Sequence, residues 1–337
     1  MNRSAEIDKL FKAFSNTKVL VIGDVMLDTY IWGDVKRVSP EAPVPIVEVN
    51  HRESRLGGAA NVALNLQSLG ATPVLCSVVG NDEKATELNK LLKEEGLTNT
   101  GILKSTERKT TTKFRIIGNK VQLLRVDDEM ADPLNKDEER SFIKMIEQIL
   151  AEEKIDAILF QDYDKGAITE KIIREVVANA RQKKIPVAVD PKKRNFFHYQ
   201  EVTLFKPNLK ELQEGLNQTI DATDLSSVEK AVTQLQDHLK ADIIMNTLSE
   251  GGVFTRWREG QNYFSVHHQA HLRNIADVSG AGDTVISVAT LCLAQGLKPD
   301  LTTALANLAG GLVCEEVGVK PVNKERLIEE ITNSNIL

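Results

Sequence analysis

Residues 277–284 (DVSGAGDT) combine carboxylates with glycines at the predicted start of a long helix. Glycines there let backbone N–H groups approach an anion, and the helix dipole favours negative charge at an N-terminus. A phosphoryl group is such an anion. Asp283 follows directly and can take the proton from an attacking hydroxyl. On glycine spacing alone, a turn capped by Asp283 explains the segment equally well.

A second glycine pair, Gly57 and Gly58, opens the predicted helix that contains Asn61, in the segment GGAAN. Glycines there allow a sugar to lie against the backbone, and the Asn61 amide can both donate to and accept from hydroxyl groups. Close packing of this helix on a sheet through small residues is the alternative, and the segment taken alone favours it.

Asn208 and Glu211 lie one helical turn apart and face the same way. A carboxylate and an amide oxygen together suit Mg²⁺ that is held through water. A capped helix start explains the same two residues.

These residues must be positioned by the elements around them. Runs rich in branched residues alternate with helical patterns, which predicts right-handed βαβ units and a mostly parallel sheet. Ligands bind beyond the carboxyl ends of such strands. Polar residues follow five predicted strand ends, which indicates an active-site rim: Asp24 and Asp28, Asp162 and Lys165, Asp190 and Lys192, Asn208 and Glu211, Thr247 and Ser249.

Two segments, about 30–50 and 109–127, lack the helical pattern. The first contains the alternating run PVPIVEV, and the second places Gly118-Asn119 between two alternating runs, which predicts a β-hairpin. We expect both to form a small β-sheet that acts as a lid. The chain, residues 1–337, is predicted to be a single α/β domain with this lid.

Composition narrows the possible partners and location. The 42 Lys and Arg residues against 48 Asp and Glu residues give a net charge of −6, whereas nucleic-acid binders usually present a basic surface. The N-terminal residues carry charges of both signs, and no apolar run is long enough for a membrane span. The three cysteines are widely spaced, as is common in a reducing compartment. We therefore expect a cytoplasmic protein without nucleic-acid or membrane partners.

Taken together, the segments resemble the ribokinase-like (PfkB) sugar kinase family. GGAAN and DVSGAGD match its two signatures, and the likeness extends over nearly the whole chain. The resemblance implies a ribokinase-like three-layer fold with ATP and Mg²⁺ as cofactors. It also implies that Asn208 and Glu211 organise magnesium through water. Asn208 would also contact the nucleotide, and the family's nucleotide-side turn is matched by Thr247, Ser249 and Gly252.

The segments SPEAPVP and DYDKG are more particular, and they resemble the kinase half of the bifunctional heptose enzyme of lipopolysaccharide synthesis. That resemblance implies phosphorylation of D-glycero-β-D-manno-heptose 7-phosphate to the 1,7-bisphosphate. It places Asp28 and Asn61 on sugar hydroxyls, beside the backbone of the two glycines, and Lys165 and Asp190 in the sugar or phosphate region. It also makes Gly280, Ala281 and Gly282 the anion hole and Asp283 the base. The chain ends at Leu337 without the HxGH-type motif of the second activity, so nucleotide-sugar formation is not expected.

The 7-phosphate of such a substrate needs cations. Lys113 and Arg115 are two apart on one predicted lid strand, so they share a face and are predicted to grip the phosphate together. Arg37 and Arg125 also belong to the predicted lid, but solvated lid charges are the alternative for each of these residues. The next candidates are Lys165, Lys192 and Lys193.

Other functions remain open at this point. Another kinase of the family, acting on fructose, ribose, a nucleoside or a sugar phosphate, shares the general motifs. A sugar- or nucleotide-binding regulator without activity is the alternative of another class, although pure binding does not need a base at Asp283. Because the edges of an exposed lid sheet invite pairing, we expect a homodimer through the lids.

Overall fold

The computed structural model describes residues 3–271, 273–334 and 336. Its strands are β1 (Lys18–Gly23), β2 (Val25–Val38), β3 (Pro45–Gly58), β4 (Thr72–Gly80), β5 (Gly101–Ser105), β6 (Thr112–Gly118), β7 (Val121–Asp128), β8 (Ala157–Gln161), β9 (Val187–Asp190), β10 (Leu204–Phe205), β11 (Ile243–Thr247), β12 (Val253–Glu259) and β13 (Asn262–His268). Its helices are α1 (Arg3–Phe14), α2 (Ala59–Ser68), α3 (Glu83–Glu94), α4 (Lys136–Glu152), α5 (Glu170–Lys183), α6 (Leu209–Leu216), α7 (Leu225–Leu239), α8 (Ala281–Ala294), α9 (Pro299–Val313) and α10 (Lys324–Asn333). No helix within these ranges has the length and apolar character needed to cross a membrane.

The main sheet has nine strands in the order β13-β12-β11-β10-β9-β8-β1-β4-β5. Every pairing from β5 to β11 is parallel, and β12 and β13 add an antiparallel edge. Parallel neighbours need long crossovers, which the intervening helices supply. The predicted mostly parallel sheet is confirmed, and all of its parallel strands end at one edge.

Successive residues of β1 point to opposite faces of this sheet and build two cores. Val19 and Val21 pack among side chains of α1, α2, α8 and α9. Leu20 and Ile22 pack among side chains of α4, α5 and α7. Because helices cover both faces, polar side chains gather where the strands end rather than along them.

The second sheet, here called the lid sheet, has the order β3-β2-β6-β7. Strand β2 leaves the carboxyl end of β1 after a single residue, Asp24, and β3 returns to the start of α2. The pairing of β2 with β3 is antiparallel, that of β2 with β6 parallel, and that of β6 with β7 antiparallel. The lid sheet is therefore anchored at the edge where the strands of the main sheet end.

The hairpin predicted around Gly118-Asn119 is formed by β6 and β7, and its turn lies one residue later. Gly118 still pairs with Val121, so Asn119 and Lys120 are the two turn residues. Their φ angles are 52° and 67°, which suits a tight turn that matches the twist of its strands. The strand predicted over the run PVPIVEV is β3, which continues beyond that run to Gly58.

Candidate active site

The N-terminus of α8 has space for an anion and lies close to a lysine cation. Gly280 precedes the helix with a φ of 84°, a left-handed conformation that favours glycine. A Cβ on Gly282 would lie 3.8 Å from Lys206 Nζ and 3.9 Å from Asp190 Oδ2, so no protein atom requires a glycine there. The missing side chain leaves space for a ligand beside the first-turn N–H groups, which lack helical partners. The residues predicted as an anion hole can thus accommodate a phosphoryl group.

The Asp283 carboxylate is buried in the first turn of α8, with 5% of the residue exposed. Asn61 Nδ2 donates to its Oδ2 at 2.6 Å, whereas the Tyr163 hydroxyl and Gln161 Nε2 donate to its Oδ1 at 2.9 Å and 3.2 Å. These bonds fill three of the roughly four acceptor positions of a carboxylate. The remaining position can accept a hydrogen bond from a substrate hydroxyl.

Burial raises the pKa of Asp283 to about 6. The hydrogen bond from Asn61 opposes this rise, and the negative charge of Asp190 adds to it. A carboxylate with this pKa is ionised at neutral pH and is also a stronger base than an ordinary aspartate. The predicted base and the predicted sugar-binding Asn61 therefore meet at one carboxylate suited to accepting a proton.

Asp190 lies between two donors at the end of β9. Lys206 Nζ lies 3.1 Å from its Oδ1, and Gln161 Nε2 donates to its Oδ2 at 3.3 Å. Only 2% of Lys206 is exposed, so its ammonium group is a buried cation close to the N-terminus of α8. Asp190, predicted for the sugar or phosphate region, lies beside the predicted anion hole and balances this charge.

Sequence reasoning overlooked Gln161, Tyr163 and Lys206. Each lies at or just beyond the carboxyl end of a parallel strand, a signal that we applied to nearby residues such as Asp162 and Asn208 but not to these three. The Gln161 Oε1 is buried and has no hydrogen-bond partner among the described residues. It can therefore accept a hydrogen bond from a sugar hydroxyl.

The loop after β8 is held by Asp24. Its carboxylate accepts backbone hydrogen bonds from Tyr163 at 2.9 Å and from Lys165 and Ala167 at 3.1 Å each. Burial raises the pKa of Asp24, and these three N–H groups oppose the rise. Since the same loop carries Tyr163 and Lys165, Asp24 positions both side chains.

Asp28 lies on β2 against the glycine pair that precedes α2. A Cβ on Gly57 would overlap the Asp28 carboxylate, and Gly58 has a φ of 60°, so the fold itself requires both glycines. Arg115 forms an ion pair with Asp28, and its guanidinium lies 5.2 Å from the centre of the Tyr30 ring. The residues predicted to bind sugar hydroxyls thus form a polar, partly aromatic surface under the lid sheet.

Lys113 and Arg115, predicted to act together on a phosphate, have separate partners. Lys113 Nζ lies 3.1 Å from both Asp127 and Glu129, whereas Arg115 pairs with Asp28. Lys165 Nζ lies 2.7 Å from Glu129. The structure therefore brings Lys113 together with Lys165, through Glu129, rather than with Arg115.

Asn208 and Glu211 form a capping box at the start of α6. Asn208 Oδ1 accepts from Glu211 N at 2.8 Å, and Glu211 Oε2 accepts from Asn208 N at 2.8 Å. The other oxygen of Glu211 pairs with Lys192. Among the described residues, no three His, Cys, Asp or Glu side chains are grouped so that they could hold a metal ion. This donor set fits Mg²⁺ only through water and phosphate oxygens, the mode that Mg²⁺ prefers.

The residues predicted on the nucleotide side lie beyond the next strands. Thr247 ends β11 and forms a parallel bridge with Asn208. Ser249 and Gly252, with φ angles of 53° and 84°, turn the chain back into β12. A Cβ on Gly252 would overlap the carbonyl of His268, so this turn depends on a glycine. The turn lies along the same edge of the sheet as Asp190.

Comparison with known proteins decides the family. Residues 16–326 match the pfkB family of carbohydrate kinases. The chain belongs to this family. Two curated relatives of this kinase, from Koribacter versatilis and Methylobacillus flagellatus, are both named bifunctional protein HldE. They are 39% and 40% identical to it over 319 and 313 residues, which are 94% and 93% of this chain but 64% and 63% of the relatives. The kinase therefore spans less than two thirds of their length.

Solved structures share the fold of the kinase at low sequence identity. Phosphofructokinase-2 from Escherichia coli in complex with potassium has a TM-score of 0.74 and 18% identity, covering 94% of this chain and 99% of that one. A ribokinase of Arabidopsis thaliana complexed with ribose and ATP has a TM-score of 0.70 and 15% identity, covering 93% and 99%. The predicted ribokinase-like fold class is thus confirmed.

Proposed function

We propose that this kinase transfers the γ-phosphoryl group of ATP to the anomeric hydroxyl of D-glycero-β-D-manno-heptose 7-phosphate. The observation that carries the proposal is the buried Asp283 carboxylate at the N-terminus of α8, with Lys206 close to the same helix end. The heptose substrate is supported by the SPEAPVP and DYDKG segments and by the identity to the HldE relatives. The 1,7-bisphosphate product would serve ADP-heptose and lipopolysaccharide core synthesis.

In the proposed reaction, the sugar hydroxyl gives its proton to Asp283 while its oxygen forms a bond to the γ-phosphorus. The bond between that phosphorus and the bridging oxygen breaks, and ADP leaves. The N–H groups at the start of α8 and the Lys206 ammonium would stabilise the charge on the transferred group. Positioning and charge neutralisation account for most of the catalysis in such transfers.

The nucleotide would lie across Asn208, Thr247, Ser249 and Gly252, at the carboxyl ends of β10 and β11. Bound Mg²⁺ would neutralise phosphate charge during the transfer. Asn208 and Glu211 would hold it through water, since the Glu211 carboxylate already has protein partners on both oxygens. The lid sheet would cover the sugar and exclude water, which otherwise competes as the phosphoryl acceptor.

A coupled assay of ADP release with a panel of acceptors tests the substrate. We expect the highest kcat/KM for heptose 7-phosphate, lower values for free heptose, fructose, fructose 6-phosphate and ribose, and loss of turnover when Mg²⁺ is chelated. A preference for fructose or ribose would replace the heptose assignment by another sugar within the same family. Binding of ATP and sugar without ADP release from any acceptor would favour the regulator alternative.

We also propose that the kinase pairs as a homodimer through the lid sheet, in the cytoplasm as the sequence predicts. Ile116 pairs with Leu124 across β6 and β7, so both lie on the face opposite Arg115. Leu124 and Val126 are largely exposed on that face. A second copy of the chain is the occupant that an apolar, edge-bearing sheet of this kind suits.

A further inference from the structure

Glu129 joins the lid sheet to the main sheet through two lysines. Its Oε2 lies 3.1 Å from Lys113 Nζ on β6, and its Oε1 lies 2.7 Å from Lys165 Nζ on the loop after β8. All three side chains are mostly buried. Burial alone would raise the pKa of Glu129, but the hydrogen bonds from Lys165 and Lys113 outweigh it, and the pKa is lowered.

Two arginines hold the segment that carries Glu129. Arg108 donates to the backbone carbonyl of Asp132, and Arg194 donates to that of Ala131. The segment also carries the Asp132 carboxylate, whose charge favours the charged form of Arg108. The two arginines therefore fix the backbone that follows Glu129, and this holds the Glu129 carboxylate between the two lysines.

Two neighbours connect this cluster to the candidate sugar site. Lys113 pairs in register with Asp28, the residue predicted to bind a sugar hydroxyl. Lys165 is two residues beyond Tyr163, which donates to Asp283. A sugar whose reacting hydroxyl meets Asp283 and whose other hydroxyls reach Asp28 would extend towards the two lysines.

We infer that Lys113 and Lys165 bind the phosphate that the sugar substrate already carries, and that Glu129 is a counter-ion which this phosphate displaces. The inference rests on the proposed function, since only a phosphorylated sugar brings such a group. A carboxylate that bridges two ammonium groups presents two oxygens to them, as a phosphate monoester does. The phosphate carries nearly twice the charge of the carboxylate, so it competes well for the same donors.

The exchange also explains why the two lysines come from different sheets. Without substrate, Glu129 links the lid sheet to the loop after β8. With substrate, the sugar phosphate makes the same link, so the lid sheet and the loop after β8 stay joined when the phosphate replaces Glu129. A free sugar would leave the Glu129 link in place and gain nothing from the lysines.

Two substitutions at this cluster have opposite expected effects. Lys165→Met removes a phosphate ligand, so KM for heptose 7-phosphate should rise by roughly ten- to a hundredfold, the range for a lost charged hydrogen bond. Glu129→Gln removes the competing charge, so the same KM should fall by up to about fivefold. Steady-state rates with heptose 7-phosphate and with free heptose, at saturating ATP, measure both effects. In both variants, KM for free heptose should stay at the wild-type value.

Lys36→Met serves as the matched control, because it breaks an exposed ion pair with Glu48 in the same lid sheet. It should leave both KM values at wild-type levels. Lys113→Met repeats the test at the other lysine should Lys165→Met fail to fold.

The outcomes separate the two proposals. Equal shifts with and without the sugar phosphate, or shifts of the same sign in the lysine and glutamate variants, would mean a merely structural ion pair and would overturn the inference alone. Wild-type enzyme that does not phosphorylate heptose 7-phosphate would overturn the proposed function, and the inference with it.

Discussion

Asp283 has opposite requirements for stability and for catalysis. Its pKa rises from 3.8 to about 6 in the folded chain, so the folded state holds the proton more tightly than the unfolded state does. The stabilising contribution of protonated Asp283 is complete below pH 3.8 and is lost as the pH rises to about 6. The ionised form that catalysis needs is therefore the less stable one.

We expect Asp283→Asn to lower kcat by roughly 10²- to 10⁴-fold, the usual loss for a general base. In the wild type, kcat/KM for the sugar should rise with pH up to about 6 and then level off, as the free enzyme loses the proton from Asp283. Steady-state rates measured from about pH 5 to about pH 8 check both effects.

Thermal unfolding serves as the control for Asp283→Asn. Above pH 6 the variant should melt at or above the wild-type temperature. Asparagine has nearly the same shape as aspartate, and the substitution removes the buried negative charge. A folded variant that keeps near-normal turnover would contradict the role of Asp283 as base.

The sequence predicted the central residues of the candidate site but not their partners. Asp283 and Asn61 lie in short motifs whose residue types indicate their chemistry. Tyr163 and Gln161 meet Asp283 only because β8 lies beside β1 and α8 packs over that edge. Such contacts join residues more than a hundred positions apart, and they depend on strand order, which local patterns do not contain.

At the level of structural elements, the conformation of the loop after β8 depends on a single carboxylate. Asp24 was predicted only as one of several polar strand ends, whereas three backbone N–H groups of the loop converge on it. The sequence pattern does not distinguish this role, because any polar residue can follow a strand. The same holds for Glu211, whose spacing from Asn208 suits both magnesium and the capping box that is present.

We expect Asp24→Ala to reduce both stability and activity, because it leaves buried N–H groups of the loop without acceptors. Each such group costs about 1–3 kcal/mol, and the side chains of Tyr163 and Lys165 would lose their positions. Asp156→Ala is the matched control, since Asp156 accepts from Lys18 N at the opposite end of β1. Urea unfolding and steady-state kinetics of both variants separate the effects.

The control should lose stability without a change in KM for the sugar. Equal kinetic effects in the two variants would mean that Asp24 acts through general stability and not through the loop.

For the whole molecule, the two faces of the lid sheet differ in chemistry. The face towards the candidate site carries Asp28, Arg115 and Lys113, whereas the opposite face presents Leu124 and Val126. Alternation along a strand produces both faces from one sequence. The inner face is suited to a polar sugar phosphate, and the exposed part of the outer face is the surface that the proposed dimer would bury.

Leu124→Glu should therefore weaken the proposed dimer, because it places a charge in the apolar outer face of the lid sheet. Leu124 is 53% exposed within one chain. Leu225, which is 40% exposed at the start of α7 and far along the chain from the lid sheet, provides the matched control as Leu225→Glu. Sedimentation velocity at micromolar concentrations should show a dimer for the wild type and the control, and a shift to monomer for Leu124→Glu. A monomeric wild type, or an unchanged dimer in Leu124→Glu, would place any pairing surface elsewhere.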